Sequence, residues 1–500
     1  MIDSGDEMLK PEQIKTLIDN DKVSKRKQLA RVGDRYFNGD HDIKKYRIFF
    51  INADGILQED KTRSNIRIAH PFWKILAEQE AQYILSGKEP LFNSDIPELQ
   101  SRLDEYFNDN DDFNSELYYA VLGAIVKGCD FFYAYKNKKG MTCFQCADSL
   151  DVVEVRENET DDGCKYVIYP YVDRIDKDNN PVIRIEVWDE KQVTFYVQDG
   201  EGNIKLDKHQ KPNPRPHILY KKDGDESTYF DDFGQIPFIR LDNNKKQESG
   251  LPIIKDLIDS YDLMNSGLSN NIQDTNESLY VVKGFEGDNL DELMMNIKAK
   301  KHIGVGEDGD VEIKTIDIPV EARKTKMETD EKNIFRFGMG VNTEALKDTS
   351  ATVSVAIKSA YANLDLKCEG FNKGFKRFLR KILELVLKEI NELDGTAYEQ
   401  KDIYFNLERE TITNEQERAT IRLTEAQEQQ TRITTILNTA AQFGNELTMQ
   451  MLCEAYDLDY DDIKGKLPDP EEESTDPFKA QSALDAVVVE EDPDGGGVIE

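Results

Sequence analysis

The stretch Gly338-Met-Gly-Val-Asn-Thr-Glu-Ala-Leu-Lys-Asp-Thr-Ser350 separates two segments that both have the periodicity of helices. Its two glycines give the backbone conformational freedom, and Thr349 or Ser350 can cap the helix that follows. We expect this helix to run from about Ala351 to Leu393, because apolar residues recur there every three or four positions. At 1.5 Å per residue it would be about 60 Å long. The stretch 338–350 is therefore predicted to be a flexible hinge.

Two more helices are predicted before this hinge. Pro252 opens one that reaches about Glu277, with apolar residues on one stripe and Asp, Ser and Asn on the opposite side. Pro319 opens another that reaches about Phe337 and carries few apolar residues. Two helices that extend from one point of the subunit and lead back to a flexible hinge favour a ring-forming protein in which each subunit lines a central channel.

A small α/β insert is predicted between these two helices. Leu279–Lys283 has the apolar pattern of a strand, Asn289–Lys300 that of a helix, and further strands are expected around Ile303 and Ile313. The run Gly304-Val-Gly-Glu-Asp-Gly309 matches the glycine pattern of dinucleotide sites, which require a helix directly afterwards. The residues that follow alternate like a strand, so we interpret the run as a β-turn.

The remaining sequence predicts an α+β protein that is mainly helical. Residues 1–127 have helical patterns, whereas apolar and polar residues alternate with a period of two from Gly128 to Leu241, which is typical of antiparallel strands. Helical segments return at Asn414–Phe443 and Glu446–Ala455. From Lys464 onward the chain is rich in Asp, Glu, Pro and Gly, and we expect this tail to be disordered.

The chain carries 98 acidic and 64 basic residues, for a net charge of −34. Tight general binding of nucleic acid requires Lys and Arg to replace counterions, so this chain cannot bind DNA over its whole surface. A conduit that borders DNA without gripping it fits the charge, and so does a merely soluble acidic protein. No apolar run approaches the roughly 20 residues that cross a bilayer, and the N-terminus lacks a secretion signal, so we expect no membrane contact.

Enzyme motifs are absent from the sequence: there is no Walker A loop, no H-E-x-x-H and no G-x-S-x-G. The six cysteines do not form a disulfide pattern, and Cys143-Phe-Gln-Cys146 lacks the second pair of ligands that a structural zinc site needs. We therefore expect no catalytic residue, no metal and no cofactor. Acidic pairs are too common to exclude a metal-dependent nuclease by counting, and an acidic scaffold protein without a channel is a third possibility.

Two basic groups are candidate contact sites. The first ends the helix of the insert, where it either interacts with the helix dipole or binds a partner or DNA; its members are Lys298, Lys300, Lys301 and His302. The second lies early in the helix that returns from the insert, either as a solvated face or as channel lining; its members are Arg323, Lys324 and Lys326.

The order of these elements along the chain resembles that of the portal proteins of tailed double-stranded DNA bacteriophages, of the type found in siphophages of Gram-positive hosts. The resemblance covers about residues 30 to 465 and depends on the order of several loose patterns. These patterns are Arg35-Tyr-Phe-Asn-Gly-Asp-His41, Asn65-Ile-Arg-Ile-Ala-His-Pro-Phe72, Gln79 with Tyr83-Ile-Leu-Ser-Gly-Lys88, Gly250-Leu-Pro with Asp259-Ser-Tyr-Asp262, and the hinge leading into the long helix.

The resemblance implies an elongated subunit with named regions. Residues 1–251 would be a β-rich wing, 252–277 and 319–337 the two stem helices, 278–318 a small α/β clip, 338–351 a tunnel loop, 352–399 the spine helix of the wing, 400–465 a helical crown and 466–500 an acidic disordered tail. The tunnel loop would point at DNA through Gly340, Val341, Asn342, Thr343, Lys347, Asp348 and Thr349.

The resemblance also implies a function and partners. The protein would form a ring, a dodecamer, at one capsid vertex of the virion, through which double-stranded DNA is packaged and ejected. Its clip would dock the terminase large subunit and later the head–tail adaptor, and its outer regions would meet the major capsid and scaffolding proteins. Synthesis would take place in the host bacterial cytoplasm, and the packaging ATPase would be a separate chain.

Overall fold

The protein was analysed as a computed structural model. It describes residues 8–52, 54–61, 63–156, 164–175, 179–221, 228–274, 279–283, 310–314, 319–342, 353–409, 415–456 and 460. The chain divides into two compact units. The first comprises Met1–Thr343 and Ala360–Thr411, and the second comprises Glu344–Ser359 and Ile412–Glu500.

Helices and strands alternate irregularly along the chain, as the α+β prediction requires. The helices are α1 (Pro11–Lys22), α2 (Lys25–Phe37), α3 (Phe72–Ile84), α4 (Pro97–Leu103), α5 (Asp111–Lys127), α6 (Lys255–Asp274), α7 (Val320–Gly338), α8 (Val353–Asp394), α9 (Glu415–Phe443) and α10 (Asn445–Ala455). The strands are β1 (Phe49–Ile51), β2 (Leu57–Glu59), β3 (Phe92–Asn93), β4 (Cys129–Lys136), β5 (Thr142–Ala147), β6 (Val153–Val155), β7 (Tyr166–Ile175), β8 (Pro181–Trp188), β9 (Gln192–Gln198), β10 (Ile204–Leu206), β11 (Arg215–Pro216), β12 (Ile218–Lys221), β13 (Thr228–Asp231), β14 (Phe238–Asp242), β15 (Leu279–Lys283), β16 (Asp310–Lys314) and β17 (Tyr404–Phe405).

Antiparallel sheets occupy the region from Gly128 to Leu241, as the period-two alternation predicts. The larger sheet has the order β10-β9-β8-β7-β6, with β11 also paired to β9. A three-stranded sheet has the order β14-β4-β5. Helix α5 lies against this second sheet and packs an aromatic core with it, in which Phe113 contacts Phe132 and Phe144, and Phe132 contacts Phe378 of α8. The first unit is therefore held together by contacts between distant parts of the sequence.

The N-terminal helices differ from the prediction in one respect. Spaced apolar residues over Pro11–Arg31 indicate helical structure without locating an interruption, and the chain breaks there between α1 and α2. Ser24 is the N-cap of α2, and its hydroxyl accepts a hydrogen bond from the backbone nitrogen of Lys27 at 3.3 Å. Because a capping serine favours a new helix start, the local side-chain chemistry overrides the apolar periodicity here.

A hairpin, β1–β2, interrupts the region that was expected to be helical. Phe49 pairs with Glu59, Phe50 with Gln58 and Ile51 with Leu57. The turn Asn52-Ala-Asp-Gly55 lies between two apolar runs, which is a strong hairpin signal. Asn52 stabilises it by accepting hydrogen bonds from the backbone of Asp54 and Ile56. The hairpin was not predicted, although this turn between two apolar runs indicates it.

The helices around the insert begin and end close to their predicted limits. Helix α6 begins at Lys255 rather than Pro252, because Leu251–Ile253 forms a separate turn of 3-10 helix. Helix α7 is capped by Pro319 and continues one residue past Phe337, to Gly338. Between them β15 pairs antiparallel with β16, which confirms the predicted strands at Leu279–Lys283 and around Ile313. The predicted helix 289–300 and the strand around Ile303 lie outside the described residues.

Helix α8 confirms the long rod predicted after the hinge. Its 42 residues correspond to about 63 Å at 1.5 Å per residue. The buried residues within it follow the predicted stripe and include Leu364, Phe371, Phe375, Phe378 and Ile382.

In the second unit, α9 and α10 pack against each other through a small apolar cluster. Ile433, Ile436 and Leu437 of α9 meet Leu452 and Cys453 of α10. The acidic tail from residue 466 onward lies outside the described residues.

Candidate functional site

Helix α6 binds, along one of its sides, a segment that lies about 200 residues earlier in the sequence. Asp262, Ser266, Asn270 and Asp274 lie at intervals of four residues and form what we call the polar stripe. Their side chains accept hydrogen bonds from the backbone nitrogens of alternate residues in the segment 64–70. Asp274 accepts from Ser64 at 3.1 Å, Asn270 from Ile66 at 2.6 Å, Ser266 from Ile68 at 3.0 Å and Asp262 from His70 at 2.9 Å.

The regular match follows from the dimensions of the two backbones. Four residues of an α-helix rise about 6 Å, and two residues of an extended chain advance about 6.6 Å. A stripe with a period of four can therefore bind every second amide of a chain laid beside it. This arrangement brings together two of the sequence patterns that suggested a portal, Asn65–Phe72 and Asp259–Asp262, which are almost 200 residues apart in the sequence.

The polar stripe is the inner side of α6 in its C-terminal half, which corrects the prediction. Asp262 is fully buried, and Ser266 and Asn270 are nearly so, whereas Leu263 and Ile272 are exposed. The apolar stripe predicted for this helix is buried only near its start, at Ile254 and Ile258. The side that carries Asp, Ser and Asn, opposite the predicted apolar stripe, binds backbone, because the segment 64–70 offers amide donors.

Asp262 is the centre of a buried cluster with two histidines. Its carboxylate accepts hydrogen bonds from Nδ1 of His41 at 2.7 Å and from Nδ1 of His70 at 2.8 Å. His41 is fully buried, and its Nε2 lies 3.1 Å from the carbonyl oxygen of Tyr36. Both ring nitrogens of His41 therefore face oxygen atoms. Burial acts to raise the pKa of Asp262, but the hydrogen bonds from both histidines outweigh it and lower the pKa.

A second group of charges lies one turn before this cluster. Nζ of Lys255 is 2.7 Å from Asp42 and 2.6 Å from Asp259, and the hydroxyl of Tyr36 donates to Asp259 at 2.5 Å. Burial acts to lower the pKa of Lys255, but its hydrogen bonds to the two carboxylates outweigh it and raise the pKa well above its usual range. The pattern Arg35–His41 is thus a docking element for the start of α6.

The predicted basic group on α7 is used mostly within the chain. Lys326 forms an ion pair with the buried Asp330, and its Nζ is 3.0 Å from the hydroxyl of Ser260 on α6. Arg323 lies beside Gly267 of α6 and donates to the side-chain oxygen of Asn271 at 3.0 Å when that amide is oriented to satisfy both groups. Two of the three basic residues therefore join α6 to α7.

Lys326 is exposed but engaged with Asp330 and Ser260, whereas Lys324 is exposed and makes neither of these contacts. Lys324 is therefore the residue of this group whose ammonium group is positioned to bind an external anion.

The segment after α7 is closely packed at its start rather than free. Gly340 lies against α3, and a Cβ atom there would be 2.1 Å from Cδ2 of Leu76. The next residue, Val341, is only 3% exposed, and its backbone nitrogen donates to Oε1 of Gln79 at 2.8 Å while its carbonyl accepts from Nε2 of Gln79 at 3.2 Å. The glycine at 340 is needed for close approach, so the interpretation of this position as a source of flexibility was wrong.

The other predicted loop residues fall into two sets. Asn342 is partly exposed, and its side-chain amide is 3.5 Å from Glu331 of α7. Thr343, Lys347, Asp348 and Thr349 lie outside the described residues, and so does the predicted basic group at Lys298, Lys300, Lys301 and His302.

The remaining motif candidates have ordinary structural roles in the described part of the chain. Cys143 and Cys146 lie three positions apart on strand β5, so their side chains project from opposite faces. Their thiols are free, and so are those of the other cysteines. Within the described ranges, no set of three or more His, Cys, Asp or Glu side chains is arranged to hold a metal ion. Asp310–Lys314 after the glycine run is a strand, as expected for a turn rather than a dinucleotide site.

None of the helices formed by the described residues is apolar over a length sufficient to cross a lipid bilayer.

Comparison with known proteins gives a consistent result. The profile of the family described as "Phage portal protein, SPP1 Gp6-like" matches residues 16–446. The chain is 25% identical over 391 residues to the portal protein of Bacillus phage SPP1, an alignment that covers 77% of this chain and 75% of that protein. It is also 25% identical over 419 residues to the portal protein of Clostridium phage phiCD119, with 78% and 85% covered. The match includes α6, α7, the polar stripe and the segment that it binds, and the chain belongs to the SPP1 Gp6-like family of phage portal proteins.

Proposed function

We propose that this protein assembles into a closed ring, a dodecamer, at one capsid vertex, and that double-stranded DNA passes through the centre of the ring during packaging and ejection. Helices α6 and α7 are proposed as the two stem helices, with residues 278–318 as the clip. The observation that carries this proposal is the attachment of α6 and α7 to the rest of the first unit. Helix α6 is attached through the polar stripe. Helix α7 is attached through Asp330 and Lys326, and through the contact of Val341 with Gln79.

The contact of Val341 with Gln79 supports a defined starting point for the proposed tunnel loop. Because Val341 is buried and bonded to Gln79 on α3, the loop leaves the folded unit from a fixed point. The residues proposed to follow the DNA are Asn342, Thr343, Lys347, Asp348 and Thr349. Val341 is better suited to anchor the loop than to contact DNA.

The charge of the chain supports sliding rather than tight binding. Twelve copies with a net charge of −34 each would together carry about −400, a field that opposes adhesion of phosphates. Lys324 is exposed on α7 and Lys347 belongs to the proposed loop, so the ring would present a small number of repeated cationic contacts. Such contacts would guide the duplex without stopping it.

The proposed partners follow from the same assignment. The clip, with Lys298, Lys300, Lys301 and His302, is proposed to bind the terminase large subunit and then the head–tail adaptor. The outer parts of the first unit are proposed to meet the major capsid and scaffolding proteins in the virion. The protein would have no catalytic role of its own.

The loop assignment can be tested by replacing residues 343–349 with a glycine–serine segment of equal length. Val341 and Gln79 are left unchanged, so the anchor and the stem helices should fold as before. We expect purified rings of normal mass, and virus heads that assemble with the variant but contain little or no DNA. Equal replacement of residues 466–472 in the acidic tail is the control.

Two results would contradict the proposal. Failure of the loop variant to form rings would mean that 343–349 is required for assembly. Normal filling of heads would mean that these residues do not act on DNA. Divalent-metal-dependent cleavage of DNA by the purified wild-type chain would favour the nuclease alternative, and a soluble acidic monomer that never forms rings would favour the scaffold alternative.

A further inference from the structure

The hairpin β1–β2 exposes an unusual amount of apolar surface. Phe49, Phe50, Ile51, Ile56 and Leu57 have exposed fractions of 53%, 44%, 70%, 61% and 66%. Phe49 and Ile51 lie on one face of the ribbon and Phe50 on the other, because side chains alternate along a strand. Two-stranded ribbons are marginally stable in water by themselves, and contiguous exposed apolar patches mark interaction sites.

A hydrogen bond and an ion pair close the base of the hairpin, and a further contact joins it to the segment 64–70. The backbone nitrogen of Asp60 donates to the carbonyl of Ile48 at 2.8 Å, and Nε of Arg47 is 3.3 Å from Glu59. Farther along, Arg67 donates to the carbonyl of Lys44 at 2.8 Å. Arg67 belongs to the segment that the polar stripe of α6 binds, so the hairpin is positioned by the stem helix itself.

The charge around the hairpin is opposite to that of the whole chain. Residues 44–67 contain six basic and three acidic residues, whereas the chain carries a net charge of −34. The basic residues flank the apolar tip and are Lys44, Lys45, Arg47, Lys61, Arg63 and Arg67. An acidic partner is the complement that such an arm requires, and a further copy of this chain is acidic overall.

We propose that the hairpin β1–β2 inserts against the acidic surface of the next copy of this chain and is one of the contacts that close the ring. The proposal rests on the ring assembly described under the proposed function. A ring is built from heterologous contacts, in which one patch on each subunit meets a different patch on the next. The hairpin β1–β2 would supply one of these two patches, because it is apolar, has basic flanks and belongs to a subunit that is acidic overall.

The test is the double substitution Ile51→Ser with Leu57→Ser in the full chain. These residues form a cross-strand pair at the tip and are 70% and 66% exposed, so the change should leave folding of the isolated subunit unaltered. Since each loses most of an apolar contact in the assembled state, we expect ring formation to need about a tenfold or greater increase in protein concentration. Native mass spectrometry and sedimentation over a concentration series measure this.

The matched control is Val172→Ser with Ile175→Ser on strand β7. These two side chains are 61% and 66% exposed but lie on a different sheet, where the basic residue between them, Arg174, is paired with Asp173. Rings of the control should form at the wild-type concentration. If the hairpin variant also assembles at that concentration, the proposal is overturned while the ring itself stands. If the wild-type chain forms no ring, both this proposal and the proposed function fail.

A second measurement identifies the occupant directly. A photo-crosslinking phenylalanine analogue at Phe50, which is 44% exposed, should join two copies of the chain in rings assembled from this protein alone. Crosslinks confined to one copy would overturn the proposal. The same probe in assembled virus heads should give the same product, and a crosslink there to DNA or to a capsid protein instead would also overturn it.

Discussion

Asp262 is the residue on which the attachment of α6 depends most. Its buried carboxylate accepts three hydrogen bonds, two from the side chains of His41 and His70 and one from the backbone of His70. Removing one partner of a buried, hydrogen-bonded charge pair leaves the other uncompensated, which typically costs about 3–5 kcal/mol. The role of this residue could not be deduced from the sequence, because its two histidines are distant in the chain and its position on the polar side of the helix suggested exposure.

We expect Asp262→Ala to lower the free energy of unfolding of the first unit by about 3–5 kcal/mol. Asp256→Ala, an exposed acidic residue on the same helix, should change it by less than about 0.5 kcal/mol. The chain has two tryptophans, Trp73 and Trp188, both in the first unit, so denaturation followed by tryptophan fluorescence reports on that unit alone. Equal effects of the two substitutions would refute the assignment.

The lowered pKa of Asp262 gives a prediction for acid. A carboxyl group whose folded pKa lies below its usual value of 3.8 contributes stability that is complete above that value and is lost as the pH falls through the folded pKa. The free energy of unfolding of the wild type should therefore exceed that of Asp262→Asn. This difference should be smaller at pH 3 than at pH 5. Chemical denaturation at the two pH values checks this, and an unchanged margin would count against it.

Gly340 tests whether the start of the proposed loop is packed or flexible. A Cβ at this position would lie 2.1 Å from Cδ2 of Leu76, a side chain that is 1% exposed. Gly340→Ala should therefore destabilise the first unit by about 1–3 kcal/mol through overpacking. Gly370→Ala is the control, since nothing lies within 4 Å of its Cβ position; on a helix it should stabilise by about 0.5–1 kcal/mol. If both behave alike, close packing does not explain Gly340.

The contact between α6 and the segment 64–70 is the main finding at the scale of elements. Asn270 accepts from the backbone nitrogen of Ile66, and its amide donates back to the carbonyl of Ile66 at 3.4 Å. Asn270→Ala should raise the hydrogen-exchange rate of the amide of Ile66 by about tenfold, since losing a buried acceptor costs about 1–3 kcal/mol, and should leave that of Ile68, which donates to Ser266, unchanged. Ser269→Ala, one position away and only half-buried, should leave both rates unchanged. Unaltered exchange in Asn270→Ala would contradict the role given to the polar stripe.

The sequence was sufficient for the elements whose pattern is local. The long helix α8, the pair α6 and α7, the antiparallel region and strands β15 and β16 were all predicted from periodicity and from prolines at helix starts. The same reasoning failed where a distant segment determines burial. The polar stripe is the example: nothing in its local pattern indicates that it binds the segment 64–70, because that partner is remote in the sequence.

The candidate site was predicted less completely than the fold. Of the basic residues expected to face a channel, Arg323 and Lys326 contact α6, and Lys324 is exposed. A helical pattern does not separate these cases, because all three residues are basic and the packing of α6 against α7 is not encoded in that pattern. Val341 was expected to contact DNA in the loop, but it is buried and its backbone is bonded to Gln79 of α3.

At the scale of the whole molecule, the central claim is that many copies close into a ring in which α6 and α7 of each copy border a hole wide enough for duplex DNA. Electron microscopy of the purified full chain, at a resolution that traces helices, measures this most directly. We predict rings of about twelve copies with Lys324 of every copy directed toward the central hole. Rings in which α6 and α7 lie at the outer edge, or a chain that remains a single copy at high concentration, would contradict the account.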